Sequence, residues 1–435
     1  MEPLLHDFLP WCAARKITWH QNVRLIQTSG EGGGVEASGA MQFGDIVISV
    51  PRASALGAGS SKVVASIAPK YHLAFAACQA RANSNEYADW VALWPSGTEG
   101  TWSLAKEERD MLAWCDELTR LEADENEALA HVQAEVTSPS VTDASQANEL
   151  PAESDFRWGL GIVSSRAADV VINGEARPTL LPLIDMMNHR VDPNLTLAFE
   201  PGSDCIVARV TAPAGIAAGE ELSIRYGKKD NAQLLHGYGF AMRPNPYDAL
   251  LLSVPVGEDA NDPLAVQRIA MLPRGIVDTG GGGDAQGPLA SGRLTWQRMP
   301  EGRQASPSPM LTDELRALLL IASATSIEQM FAAMTTAAGM GQGDEEEADV
   351  APLGAAGGFD PSSLPAEAWR LLTTCCAAAL EALPPPRSTP QGADGTILTA
   401  AATALEARRD LLVAALAAAK AATEAVADPD SGFVA

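Results

Sequence analysis

An apolar run, Leu180-Leu181-Pro182-Leu183-Ile184, ends directly on Asp185-Met186-Met187-Asn188-His189. An acid, an amide and an imidazole thus stand at the end of a buried strand. About thirty residues further on, Gly219-Glu220-Glu221-Leu222-Ser223-Ile224-Arg225-Tyr226-Gly227 forms a second strand that carries a tyrosine. Side-chain alternation puts Tyr226 on the buried face of Leu222 and Ile224. A buried phenol needs a hydrogen-bond partner, and a bound substrate or cofactor is the expected one.

Read from the residues alone, Asp185 and His189 leave several chemistries open. Four residues apart, they would make a metal pair on a helix. Pro182 and Pro193 bracket the segment, and no third ligand follows at helical spacing. A nucleophilic triad needs a nucleophile, and the chain has no G-x-S-x-G elbow. An Asp/His pair alone is commonly a satisfied structural hydrogen bond, so its meaning depends on its surroundings. No metal is expected.

Periodicity divides the chain. Leu5, Phe8, Leu9 and Cys12 mark a short first helix. Val23–Ile26 and Ile46–Val50 read as strands, the second closed by Pro51. Between them lies Gly30-Glu31-Gly32-Gly33-Gly34-Val35; a phosphate cradle there needs a following helix, and a strand follows instead. Residues 60 to 133 carry helical spacing and read as an insertion, followed by a Ser/Thr/Pro/Asn-rich surface loop over 137–154. Phe156–Val163 is a helix that delivers Ser165 and Arg166, Thr196–Phe199 and Cys205–Val210 are strands, and Gln233–Phe240 is a short helix. The first domain therefore spans 1–250. Residues 251–435 read as helical, with helices over Leu315–Met334, Trp369–Leu383 and Ile397–Val426 between segments of disordered composition.

Composition excludes several partners. A chain of 435 residues suggests two or three domains. The net charge of −25 repels a phosphate backbone, so no nucleic acid is expected. The nearest approach to a membrane span, Leu411–Ala427, is interrupted by Lys420 and Glu424, so no membrane insertion is expected. None of the six cysteines forms a C-x-x-C pair, which favours reduced thiols buried in a reducing compartment. Met1–Asp7 carries neither a secretory apolar core nor transit-peptide character. An intracellular monomer is expected, in the cytoplasm, or in a chloroplast stroma if a transit peptide precedes this sequence.

The order of short motifs resembles one family. Glu31-Gly32-Gly33-Gly34-Val35-Glu36-Ala37 is followed by Gly44-Asp45, Val50-Pro51 and Ser165-Arg166. Then come Leu181 to His189, Gly219 to Leu222 with Tyr226-Gly227, Tyr238-Gly239-Phe240 and Asn245-Pro246. Together they resemble SET-domain protein methyltransferases of the plant-type subfamily that includes Rubisco large-subunit lysine methyltransferase. The helical insertion and the helical C-terminal half match that subfamily, as does Leu405–Leu412 near the end.

The resemblance implies an α+β protein: a β-rich SET core with a helical insertion, then an all-helical C-terminal domain that docks a protein substrate. It implies S-adenosylmethionine as cofactor and lysine on a non-histone protein as acceptor. By matching position, Glu31, Gly33, Ser165, Asn188, His189 and Tyr226 would border the cofactor. Arg166, Asp185 and Tyr238 would line the acceptor side, and Tyr226 would be the catalytic tyrosine. Two positions depart from the pattern. Gly33 stands where an apolar residue is common. Ala168 stands where lysine-modifying members carry an aromatic residue and the histidine-modifying branch an asparagine. Tyr238 favours lysine. A histidine methyltransferase on the same scaffold and a non-catalytic SET-like binding module stay open as alternatives.

Overall fold

The structure, a computed structural model, describes residues 2–28, 32–57, 68–82, 86–97, 100–104, 106–136, 151–256, 264–272, 277–278, 289–296, 309–340, 364–384 and 397–427. Glu31, the start of the expected insertion, most of the expected 137–154 loop and the glycine-rich and Glu345–Glu347 segments lie outside them. The chain forms two compact units. The first holds residues 1–113, 118–241 and 390–401; the second holds 114–117, 242–389 and 402–435.

The first unit is built from small sheets, all antiparallel among the described residues except one two-stranded parallel pair. In the largest, Thr18–Trp19, Ile46–Pro51, Cys205–Val210 and Leu195–Glu200 lie in that order. Ile206 sits opposite Val50 on one side and Phe199 on the other. Val47, Ile48, Val50, Ile206 and Ala208 are buried, so the strands most legible from their β-branched residues form the floor of the core. Val23–Thr28 and Gly32–Ala37 pair as a hairpin with Leu25 opposite Val35. Ala168–Ile172, Glu175–Leu180 and Leu56–Gly57 make a third sheet.

Helices cover this core. Pro69–Ala82 packs on Glu153–Arg166 so closely that a Cβ on Gly159 would lie 2.6 Å from the Ala74 carbonyl oxygen and 2.8 Å from the Cys78 sulfur. Cys78 and Cys12 are buried here, and burial pushes both thiols up to about 12. They act as small hydrophobes.

The second unit contains the expected helices, with bounds at Asp313–Ser323, Ile327–Met340 and Ala366–Ala382. The expected Leu315–Met334 helix is two helices. Ile397–Ala427 is one continuous helix, of which residues 402–427 belong to this unit. The unit also holds an antiparallel sheet that helical periodicity did not reveal: Ala249–Pro255, Leu289–Trp296 and Val277–Asp278, with Pro309–Leu311 pairing to Leu289–Trp296. Ala249–Pro255 buries alternate residues, Leu250, Leu252 and Val254. Ala249 and Leu251 occupy alternate positions that would be polar, so the segment reads as an apolar run broken only at Ser253. These residues form one core with Leu315, Leu318, Trp369, Leu372 and Leu411.

Among the described residues no helix is long and apolar enough to cross a membrane, and no three His, Cys, Asp or Glu side chains group to hold a metal ion.

Candidate functional site

The two informative strands meet. Ser223–Ile224 pairs in parallel with Asn188–His189, placing Ser223 beside Asn188 and Ile224 beside His189. The segment just before Ser223 bonds to the N-terminal hairpin. Leu222 N–H donates to the Val35 carbonyl at 2.7 Å, and Ala37 N–H to the Glu220 carbonyl at 2.9 Å. Residues 219–224 thus run between the hairpin of Gly33 and the strand of Asn188 and His189. Asn194 fastens the crossing: its amide donates to the Glu221 carbonyl at 2.8 Å and accepts from Ser223 N–H at 2.9 Å. The Asn188 side chain donates to the Glu221 carboxylate at 2.7 Å.

Tyr226 leaves this crossing with both ends of its residue held. Its N–H donates to Nδ1 of His189 at 3.1 Å, and its hydroxyl donates to the Met187 carbonyl at 2.7 Å. The expected partner of the phenol, a bound molecule, is therefore replaced by the backbone. With its proton committed to Met187, the phenol oxygen keeps lone pairs for another contact. The ring stacks on Tyr238, with centroids 4.6 Å apart and planes 18° from parallel. Phe240 lies 6.1 Å from Tyr238 and 6.0 Å from His189. The His189, Tyr226, Tyr238 and Phe240 rings thus form one cluster.

Electrostatics keep the His189 and Tyr238 rings neutral. Burial first, then the Arg225 and Lys229 cations, push His189 down to about 4. Burial pushes the Tyr238 phenol well up. Lys229 has its ammonium nitrogen 5.9 Å from the Tyr238 ring centroid, and burial lowers its pKa.

Asp185 and Arg166 form a second cluster. Oδ2 of Asp185 accepts from the indole N–H groups of Trp90 at 2.9 Å and Trp94 at 3.3 Å. Arg166 donates to the Asp185 carbonyl at 3.3 Å. Burial raises the Asp185 pKa, against the Arg166 cation and the indoles. Although residue Asp185 is only partly buried, its Oδ1 is shut from solvent, as is Nε of Arg166, and neither has a hydrogen-bond partner among the described residues. Two residues earlier Leu183, buried, has φ +68° and ψ −41°, a conformation that a branched side chain rarely adopts. Strain therefore sits where the apolar run turns into the site.

The structure brings Asn188, His189, Tyr226 and Tyr238 together and sets Asp185 beside Arg166. Ser165 turns its hydroxyl back to the Gly161 carbonyl at 2.8 Å. Gly33 lies on the hairpin strand, opposite Gln27. Sequence reasoning passed over Trp90, Trp94, Asn194, Glu221 and Phe240. Trp90 and Trp94 carried a signal, two tryptophans within five residues of the insertion, but nothing tied them to Asp185 more than ninety positions away. Phe240, next to Gly239, could have been found from its place in the motif.

Part of this chain, with its strand crossing beside an Asn-His pair and a tyrosine stack, is similar to SET domains. Residues 71–227 match the SET domain family. Over 98% of this chain and 93% of that one, the fold superposes on the crystal structure of the SET domain of LSMT bound to lysine and AdoHcy, with a TM-score of 0.69 at 16% identity. The structure of Rubisco LSMT bound to AdoMet gives 0.65 at 16% identity, over 100% of this chain and 98% of that one. In sequence, the chain is 32% identical to ribosomal lysine N-methyltransferase set10 of Schizosaccharomyces pombe over 120 residues, 27% of this chain and 21% of that protein. It is 28% identical to actin-histidine N-methyltransferase of Canis lupus familiaris over 143 residues, 31% of this chain and 23% of that protein. The chain spans about a fifth of the length of these curated relatives.

Proposed function

We propose that this chain is an S-adenosylmethionine-dependent protein lysine N-methyltransferase acting on a non-histone protein, with Tyr226 as its catalytic tyrosine. The observation that carries this reading is the Tyr226–Tyr238 stack, set against the Asn188–His189 strand within hydrogen-bonded reach of His189 and Met187. S-adenosylmethionine, bound by the structures this fold resembles, would supply an electrophilic methyl group on a sulfonium.

The residues present fit that group. The strand Asn188–His189 pairs along one edge with Ser223–Ile224 and with no other strand among the described residues. Its free edge offers backbone N–H and C=O groups to a heteroaromatic base. Glu31, Gly33 and Ser165 are proposed to border the cofactor.

The rest follows from the chain's own groups. Tyr226 spends its proton on Met187, so its oxygen faces the site as an acceptor for weak C–H contacts. Tyr238 stays a neutral phenol and orients the amine lone pair. A lysine amine must lose its proton before attack, and the aromatic cluster drives it to do so by desolvation. Lys229, packed against the same ring, already feels that effect. Positioning and electrostatics therefore carry the acceleration. Arg166 and Asp185 line the acceptor side, and the C-terminal helices dock the protein that bears the lysine.

One observation favours a histidine acceptor: an actin-histidine N-methyltransferase is among the relatives. Ala168 matches neither the aromatic residue of lysine-modifying members nor the asparagine of the histidine-modifying branch. Tyr238 weighs for lysine. Incubating the purified chain with labelled S-adenosylmethionine and a cell lysate, then mapping the modified residue by mass spectrometry, tests both. Label on lysine supports the reading, label on histidine selects the second, and cofactor binding with no transfer to any protein refutes both.

A further inference from the structure

The helix Asn231–Tyr238 carries Tyr238 in its last turn. Its start is fixed by a capping box, in which Asp230 accepts from Gln233 N–H at 2.8 Å and the Gln233 side chain accepts from Asp230 N–H at 3.1 Å. Its end is fixed by something the proposed mechanism does not use. His236, 6% exposed, has both ring nitrogens engaged. Nε2 lies 3.1 Å from the Glu125 carboxylate and Nδ1 lies 2.8 Å from the Thr101 hydroxyl. A carboxylate only accepts, so Nε2 carries the proton, and in the neutral ring Nδ1 takes the Thr101 hydroxyl proton.

Thr101 is fully buried, and Lys70 pairs with the other oxygen of Glu125. Burial alone would raise the Glu125 pKa, but the His236 hydrogen bond and the Lys70 ammonium outweigh it and hold the carboxyl at about 2. The turn Gly100–Ser103 is pressed onto the same helix end. A Cβ on Gly100, whose φ is +62°, would stand 1.8 Å from the His236 carbonyl oxygen. All these residues lie in the first unit.

His236 and Tyr238 are two positions apart, so they leave the helix about 200° apart. One face of the last turn is gripped by the insertion, and the other presents Tyr238 to Tyr226. We propose that Glu125, His236 and Thr101 form a buttress through which the helical insertion sets the position of the Tyr238 ring, making the three positioning residues for the acceptor side of the site. This rests on the methyl-transfer reading above. The insertion then has a task beyond filling space: it holds the tyrosine that orients the acceptor.

The test is a double-mutant cycle on turnover with the acceptor identified by labelling. Glu125→Gln and Thr101→Val are each expected to lower turnover about tenfold, less than the roughly hundredfold that a full ångström of misplacement can cost. S-adenosylmethionine affinity by calorimetry should stay within about twofold of wild type. Thr101→Ser keeps the hydroxyl and is expected to restore wild-type turnover. Added to Tyr238→Phe, Glu125→Gln should cost less than about threefold more, because both act through one ring. Independent, multiplicative losses overturn the buttress. So does a Glu125→Gln protein that loses cofactor affinity as much as turnover. If Glu125→Gln does not fold, the Thr101→Val and Thr101→Ser pair carries the same cycle. If the wild-type chain transfers no methyl group, the functional reading fails, and amide exchange decides the buttress separately. Thr101→Val should raise exchange over residues 234–238 about tenfold, and unchanged protection overturns it.

Discussion

The backbone N–H of Tyr226 donates to Nδ1 of His189 at 3.1 Å, so the neutral ring carries its proton on Nε2. Any added proton must go to Nδ1, where it would face that N–H donor. Burial and the Arg225 and Lys229 cations already hold His189 at about 4, below the ordinary 6.5 of a histidine. Between those values the unfolded chain binds the proton and the folded chain does not. Stability from this group is therefore complete above about 6.5 and is lost as pH falls toward about 4. Two-dimensional NMR titration of the His189 ring is the measurement; a midpoint near 6.5 would contradict the geometry.

Tyr226→Phe keeps the ring stack on Tyr238 and removes the hydroxyl that bonds Met187. Turnover should fall by at least about tenfold, or about 1.4 kcal/mol of transition-state stabilisation, with little change in cofactor affinity. Single-turnover kinetics beside calorimetry separate the two. Wild-type turnover in the variant would mean that another group faces the methyl.

Asn188 contributes through its side chain to Glu221 as well as through its strand edge. Asn188→Ala leaves the Glu221 carboxylate without that donor. A loss of about 1–3 kcal/mol in unfolding free energy is expected, together with weaker S-adenosylmethionine binding. Denaturant titration with and without cofactor reads both, and a variant unchanged in both would remove Asn188 from the site.

In the second unit the carboxylate of Glu117 pairs with Arg408 and also accepts from Leu251 N–H. The two side chains are 6% and 11% exposed. Glu117→Ala would bury an unpaired guanidinium and is expected to cost about 3–5 kcal/mol. Thermal or chemical unfolding followed by tryptophan fluorescence at Trp369, fully buried in that unit, would report it.

Gly159→Ala tests the helix contact under the site. The added methyl meets the Ala74 carbonyl and Cys78 sulfur at under 3 Å, and Ala74 is backbone that cannot swing away. A loss of about 1–3 kcal/mol is expected despite alanine's better helix propensity. A stabilised variant would show that the two helices can part without cost.

The strands of the first unit were legible because β-branched runs end at Pro51, at Gly202 and at the glycines around residue 33. The site was legible in pieces: Asn188, His189 and Tyr226 lie in short motifs whose order carries the family likeness. Asp185 was named as well, but its partners were not. Trp90 and Trp94 belong to a helical insertion, and no local pattern shows which carboxylate an indole will meet. The sheet of the second unit was hidden for a different reason. Leu289–Trp296 carries Ala290, Ser291, Gly292 and Arg293, so the strand has too few large apolar residues to show a period. Glu117 shows how tertiary structure overrides local reading: it begins a helix of the insertion, Asp116–Val136, yet residues 114–117 belong with the second unit. A truncation after residue 260 would therefore strand Glu117 without Arg408, and loss of activity in such a fragment would not isolate docking.

The bond from Leu222 N–H to Val35 also dictates an order of assembly. The hairpin Val23–Thr28 with Gly32–Ala37 is translated first, but its outer edge meets its partner only when residues 219–222 emerge, almost the whole first unit later. Contacts that distant in sequence form slowly, because the intervening chain must close before the pairing repays it. Until then a nascent chain carries an open strand edge, the kind that recruits other chains. The strand that brings Tyr226 to His189 is thus the one whose arrival both closes that edge and completes the ring cluster, so a chain stalled short of residue 219 would lack that cluster and be prone to aggregate.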